Sequence, residues 1–466
     1  DAICFFVFIV VMMVTVVKAW SCSDLLKTAR ARTDSFVEEH RKRWDDLAYP
    51  FSMADDETLA LDQPPEDFDG RVVTHFCFLS HGHRGMANDL SYLKTTMRKK
   101  AVLETLQKKD DNDNPIRHEI VIHSAVSNEG KTNDGVVNGG ERLLREMVEV
   151  VRNEMKFRRQ KQGIREDVTI SIVGNSLGGI YGRYAIAMLK ARLSNVNDDT
   201  RTDSNEGTRE PDTTTYLDLD GEYKIYYNIF CSTASPHLGI SEHTYFPISR
   251  AAENIIGKAM GFTGHDLFRL NDLMKEMGTT PKFLDALGAF RKRVAYANAY
   301  GTDFAVPGET AAFLSKHSQY PHYLIQTNTE NDEEGNGVVL NRDGMIVATL
   351  ETPTVRGDKG VQMNEEHADD LAKMSNSLDA LGWKKVFVDL RNEIPSVPTL
   401  LQATKSGSMS AEEEQDRTSL LKEMQERKVV PSRDLVSAFA ESDDDRITIP
   451  LGHNMICAHS RSRLST

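Results

Sequence analysis

Ser176 stands in Gly174-Asn175-Ser176-Leu177-Gly178, a Gly-x-Ser-x-Gly pentapeptide. A β-branched run, Val168 to Val173, precedes it, and apolar residues at helical spacing, Ile180, Tyr184, Ala187 and Met188, follow. The period changes across the serine, so the segment reads as strand, sharp turn, helix. A turn this tight forces the serine into a strained backbone conformation, and only glycine at 174 and 178 lets its neighbours pass. Such a serine is exposed at the carboxyl edge of a sheet as a candidate nucleophile. Its hydroxyl is a poor nucleophile at neutral pH, so an imidazole must take its proton and a carboxylate must hold that imidazole in the right tautomer.

On this strand–turn–helix device the partners follow in the order Ser, Asp or Glu, His. Asp303 is the expected acid, because Tyr296-Ala297-Asn298-Ala299-Tyr300-Gly301-Thr302-Asp303 takes a strand into a loop at the carboxyl edge; Asp266 and Asp389 are the alternatives. Of the 14 histidines, His317, His322, His367, His453 and His459 follow Asp303, and His453 after the last apolar stretch is the expected base. The oxyanion of a tetrahedral intermediate needs preformed donors. Leu177 would supply one N–H and His83 or Arg84 the other, since His81-Gly82-His83-Arg84-Gly85 lets the backbone turn toward the serine. His81 and His83 form an i, i+2 pair with no third ligand at suitable spacing, so no metal is expected. His237 beside Pro236 is expected to be structural.

These groups need a scaffold. Arg71–Ser80, Glu119–Ser124, Val168–Val173, Tyr223–Phe230, Arg293–Asn298 and Trp383–Leu390 read as strands, with helices over Asn88–Leu106, from Gly139 to about Lys156, and after Ser176. Strand and helix alternate, which predicts an α/β-hydrolase fold: a mostly parallel central sheet with right-handed crossovers, helices on both faces and polar insertions. The insertions are expected at 194–220 and 404–446, where polar, charged composition cannot bury a core. The first lies where a lid would cover the site. A hairpin is expected within Pro321–Glu351, turning about Asn341-Arg342-Asp343-Gly344.

The predicted domain spans 70–462. A charged linker, 23–69, precedes it, carrying one amphipathic helix over Leu25–Leu47. Before that stands the apolar run Ala2–Val17, within a segment 1–22 expected to be a membrane anchor or signal-like. The chain begins at Asp1 rather than Met, so residues upstream are expected. Anchored, the protein would be intracellular and membrane-associated; with a signal peptide, secreted or lumenal. A net charge of −14 argues against a nucleic-acid partner. Five scattered cysteines form no disulfide framework and no metal-ligand spacing, which points to a reducing compartment with Cys77 and Cys231 as small core residues.

In combination these segments resemble a known family, the serine esterases with the DUF676 domain of the lipase-like α/β-hydrolase superfamily, which includes fungal lipid-droplet phospholipases. The resemblance rests on Leu79-Ser80-His81-Gly82-His83-Arg84-Gly85 with Asp89-Leu90-Ser91-Tyr92-Leu93, Gly139-Gly140-Glu141-Arg142-Leu143 and Gly174-Asn175-Ser176-Leu177-Gly178-Gly179. It continues in Ala234-Ser235-Pro236-His237-Leu238-Gly239, in Arg293 through Asp303 to Val306-Pro307, and in His453-Asn454-Met455-Ile456. It implies Ser176 as nucleophile, Asp303 as acid, His453 as base, and a lipid acyl ester at a membrane or droplet surface as substrate. No metal or organic cofactor is implied. The chain departs from the family in the long acidic excursion before Ile447. An acyl-protein thioesterase, or a silent scaffold binding lipid or protein, would use the same fold.

Overall fold

The computed structural model describes residues 71–104, 108–109, 115–162, 166–198, 216–219, 223–243, 248–300, 303, 305–325, 346–354, 369–390, 429–439, 453 and 456. Contacts divide the chain at Asp69/Gly70, and every described residue belongs to the second unit. The expected N-terminal segment and linker, with its helix, lie outside the described residues. Among the described residues no helix is long and apolar enough to cross a membrane.

The elements run β1 (Arg71–Ser80), α1 (Ser91–Glu104), β2 (Lys108–Lys109), β3 (Pro115–Ser124), α2 (Val136–Gln162), β4 (Glu166–Asn175), α3 (Leu177–Asp198), β5 (Tyr216–Leu219) and β6 (Tyr223–Thr233). Four helices follow, α4 (Arg250–Ala259), α5 (Gly261–Leu267), α6 (Leu273–Thr279) and α7 (Pro281–Gly288). The chain then continues with β7 (Lys292–Asn298), α8 (Gly308–Ala311), β8 (Pro321–Leu324), β9 (Ile346–Glu351), α9 (Asp370–Asp379), β10 (Lys384–Val388), β11 (Val429–Pro431) and α10 (Ser432–Ala438).

The strands form one sheet in the order β11-β8-β9-β10-β7-β6-β4-β1-β3-β2, with β5 also on β6. From β3 through β1, β4, β6 and β7 to β10 every pairing is parallel. The outer pairings, and that of β5, are antiparallel. This is the α/β-hydrolase fold.

β1 shows why its stretch Phe76–Leu79 is apolar without a break. Phe76 and Phe78 pack into a cluster with Leu143, Met147 and Val151 of α2 and Ile180 of α3, while Cys77 and Leu79 face Leu90, Leu93 and Met97. A strand covered by helices on both faces cannot alternate with polar residues. Burial raises the Cys77 thiol to about 12, with Cys231 adding to the effect, so the thiol stays protonated and packs as a small apolar group.

Several boundaries differ from expectation. α2 begins at Val136 rather than Gly139, because Asp266 Oδ2 accepts the Val136 N–H at 2.6 Å and satisfies one of the helix's orphan donors. Within 194–220, α3 runs on to Asp198, and Tyr216–Leu219 pairs antiparallel with β6. Within 404–446, Val429–Pro431 closes the sheet edge against β8, and Val430, Leu435, Val436 and Ala438 are buried. Both polar insertions therefore contain short apolar runs that a reading by average composition misses. β8 and β9 pair antiparallel as a hairpin's arms should; the expected turn lies outside the described residues.

The antiparallel side also buries ions. Lys385 Nζ lies 2.6 Å from Asp379 Oδ1 and 2.8 Å from His322 Nε2, all three fully enclosed, with the ammonium 3.9 Å from the Phe313 ring centroid.

Candidate active site

Ser176 sits between the last residue of β4 and the first of α3 with φ of 53°, the left-handed conformation a non-glycine residue avoids. Its N–H donates to Thr233 O on β6 at 2.9 Å, fixing the turn to the neighbouring strand. Two glycines make room. A Cβ on Gly178 would fall 2.1 Å from Ser80 O, and a Cβ on Gly82 would fall 2.6 Å from the Ser176 Cβ and 3.1 Å from its Oγ. The loop after β1 is thus pressed against the serine, as the Gly-rich spacing predicts.

The acid and base come together. His453 Nδ1 and Asp303 Oδ2 are 2.9 Å apart across 150 positions of sequence. Asp303 is buried, and its carboxylate has further donors: Asn298 Nδ2 to Oδ2 at 2.9 Å, and the Ala305 and Val306 amides to Oδ1 at 2.9 and 2.8 Å. His453 keeps 17 % of its side chain exposed. Burial alone would lower its pKa, but the Asp303 charge and hydrogen bond outweigh that, and the net shift is upward. Ile456, packed on the clusters at the ends of β7 and β10, anchors this segment. In the register Asn175↔Thr233 and Thr233↔Tyr296, the last residue of β4 lies level with Tyr296, two residues before the end of β7 and two strands or about 10 Å away.

At the oxyanion side, Leu177 is the first residue of α3, where backbone N–H groups have no intrahelical acceptor and the helix dipole is positive. The two loop candidates differ. The Arg84 N–H donates to Thr132 Oγ1 at 2.8 Å and is therefore occupied. His83 turns its ring outward to Asn133 Oδ1 at 2.7 Å. Burial pulls its pKa down, with the Asn133 bond opposing and the Arg84 charge adding.

The alternatives have other employment. Asp266 caps α2 and accepts from Asn271. His322 lies in the ion cluster with Lys385, and His317 pairs with Asp369. His367 and His459 lie outside the described residues. His237 is fully buried, as a structural histidine would be, between Arg183 and Ser232. Sequence reasoning missed Asn298 and Thr132, which hold the acid and the loop; Asn298, at the end of its strand, carried a positional signal.

Several known structures are similar to parts of this chain. One is "Phospholipase PlaB from Legionella pneumophila in complex with thio-NAD", at 12% identity and a TM-score of 0.27 over 48% of this chain and 37% of that one. This chain thus spans little more than a third of the Legionella protein. A Listeria innocua protein, the lin2722 product, matches at 11% identity and 0.23 over 51% and 77%, and a "putative cell surface hydrolase" from Lactobacillus plantarum at 10% and 0.22 over 52% and 74%. Among curated proteins no sequence matches. Residues 72–315 of the 466 match the model of the family described as "Putative serine esterase (DUF676)", and the chain belongs to that family.

Proposed function

We propose that this protein is a serine carboxylester hydrolase that cleaves acyl esters of lipids through Ser176, His453 and Asp303. The observation that carries the reading is the Asp303–His453 hydrogen bond, formed beyond β7, two strands along the sheet from a serine held in a left-handed turn. Asp303 accepts from Nδ1–H and so leaves Nε2 as the basic nitrogen, the tautomer that can take the Ser176 proton. As Oγ attacks the ester carbonyl, His453 becomes an imidazolium beside the buried carboxylate that raises its pKa. The oxyanion would rest on the N–H groups of Leu177 and His83, since that of Arg84 is occupied. His453 then gives its proton to the leaving alcohol, and water hydrolyses the acyl-enzyme by the reverse transfers.

The lipid substrate follows from the family resemblance and from the apolar run Ala2–Val17, which would bring an acidic chain to a membrane or droplet surface against charge repulsion. Fluorophosphonate labelling followed by peptide mapping tests the chemistry: adduct on Ser176 is expected, and no adduct or adduct elsewhere overturns it. A panel of phospholipids, glycerides and thioesters then reads substrate class, with faster thioester turnover counting against lipid esters. A chain starting at Ser23 should remain soluble and cleave a dispersed short-chain ester while the full chain sediments with membranes. Full-length chain in the soluble fraction refutes the anchor.

A further inference from the structure

The segment Ala234–Gly239, which follows β6, has no part in the steps above, yet it lies between the two strands whose ends carry Ser176 and Asp303. Its central residue meets an unusual neighbour. Arg183 of α3 is fully buried, and among the described residues no carboxylate pairs with it. Its guanidinium donates from one nitrogen to His237 Nδ1 at 3.2 Å and to His237 O at 3.3 Å, and from the other to Met277 O at 2.5 Å; Nε has no partner. A cation enclosed without a counter-charge is costly to fold, and an apolar side chain of similar volume would be cheaper. Because Arg183 can only donate, Nδ1 accepts, and the His237 proton sits on Nε2, donated to Ser232 Oγ at 2.9 Å.

From His237 the connection runs on to the acid loop. The His237 N–H donates to Thr310 O at 3.1 Å, the Leu238 N–H to Thr310 Oγ1 at 3.2 Å, and that hydroxyl to Gly239 O at 2.5 Å. Thr310 belongs to α8, which follows Asp303 and Val306 directly. A Cβ on Gly308 would lie 2.2 Å from the carbonyl of Asn298, whose side chain holds Asp303.

We propose that Arg183 and His237 are positioning residues, a strut through Thr310 that fixes the spacing between the Ser176 helix and the Asp303 loop. The role presupposes Ser176 as nucleophile and Asp303 as acid. It differs from packing alone in what it controls: distance between two catalytic groups, with the Asp303–His453 bond itself untouched.

Steady-state kinetics on a soluble ester test it, with Arg183→Met, His237→Asn, which keeps the acceptor toward Arg183, and Thr310→Val. In Arg183→Met kcat should fall about 10²-fold, the scale of a ~1 Å misplacement, with KM changed less than about threefold. The acid limb of the pH profile should stay in place. His237→Asn should lose less, and Thr310→Val should lower kcat in the same manner should Arg183→Met fail to fold. Met155→Ala, a core change in α2 remote from the strut, controls for stability, and at a similar fall in Tm it should keep its kcat. A kcat within threefold of the parent in Arg183→Met, or in Thr310→Val if the former does not fold, overturns the strut, as does an equal fall in Met155→Ala. Turnover retained by Ser176→Ala overturns instead the reading beneath it.

Discussion

Ser176 and Asp303 follow strands two places apart in the sheet, yet the first is held mainly by steric fit against a neighbouring loop and the second by hydrogen bonds to its carboxylate. The serine's φ of 53° is accommodated where Gly178 and Gly82 let the backbone of Ser80 and His81 close around it, and its N–H is tied to Thr233 O. Asp303, by contrast, is oriented by Asn298 and two amides and then completed by His453 from 150 positions further along. A nucleophile must be rigid, which strain and glycine provide; the exposed serine expected from the sequence is instead nearly enclosed, at 7 % exposure, because the loop after β1 presses on it. A base must move protons, which a hydrogen-bonded and partly exposed ring permits.

The largest test of this difference is Ser176→Ala. Turnover should drop by on the order of 10⁶ with the melting temperature nearly unchanged, because the hydroxyl is the reacting group and contributes little packing. Substantial remaining turnover would remove the serine from the mechanism.

Asp303→Asn should cost on the order of 10⁴ in kcat by presenting the wrong tautomer of His453. It should also move the acid limb of kcat/KM downward, since the carboxylate is what raises the imidazole while burial lowers it. The stability sign follows. A histidine whose folded pKa is raised stabilises the fold below its unfolded pKa, near 6.5, and loses that contribution as pH rises through the folded value. The parent should therefore exceed Asp303→Asn in acid-side stability by more at pH 5 than at pH 9; denaturant melts at the two pH values read it, and an acid limb that does not move contradicts the coupling.

Lys385→Met sharpens the contrast with a region that carries charge but no chemistry. Removing the ammonium leaves Asp379 buried with His322, 3.6 Å away, as its remaining neighbour, so unfolding stability should fall by about 3–5 kcal/mol, and Lys385→Met with Asp379→Leu should recover most of it. Recovery absent from the double variant would mean that the ion pair is not the source of the loss.

The smallest effect is expected from Gly82→Ala. The new Cβ meets the Ser176 Cβ at 2.6 Å, which no rotamer relieves, so the backbone of the serine turn must shift. A loss of about 10²-fold in kcat is expected, as for a ~1 Å displacement, with little change in Tm. A fall in Tm without a fall in kcat would place the strain in the loop instead.

The contrast also explains what could be read from the chain alone. The elbow was legible because its constraints are local: the change of period around Ser176 and glycines at fixed offsets are visible in a short window. The parallel core was legible for the same reason. His453 could be ranked above His459 only by its place after the last apolar stretch and by the resemblance carried in His453-Asn454-Met455-Ile456; Ile456 packs on strands far back in sequence. Thr132, Asn298 and Arg183 were not legible in role, because a buried polar group is defined by partners the window does not contain. The strands in the polar insertions escaped because runs such as Val429-Val430 are too short to outweigh their charged surroundings.

The long reach to His453 sets an order in time. Synthesis delivers the chain from its N-terminus at roughly 5–20 residues per second, and upstream parts of a domain can form while later ones are still absent. The nucleophile turn and the acid loop leave the ribosome well before position 453, so a nascent chain carries a shaped serine with nothing to deprotonate it. On the proposed mechanism, such a chain should show no ester cleavage until His453 has reached Asp303.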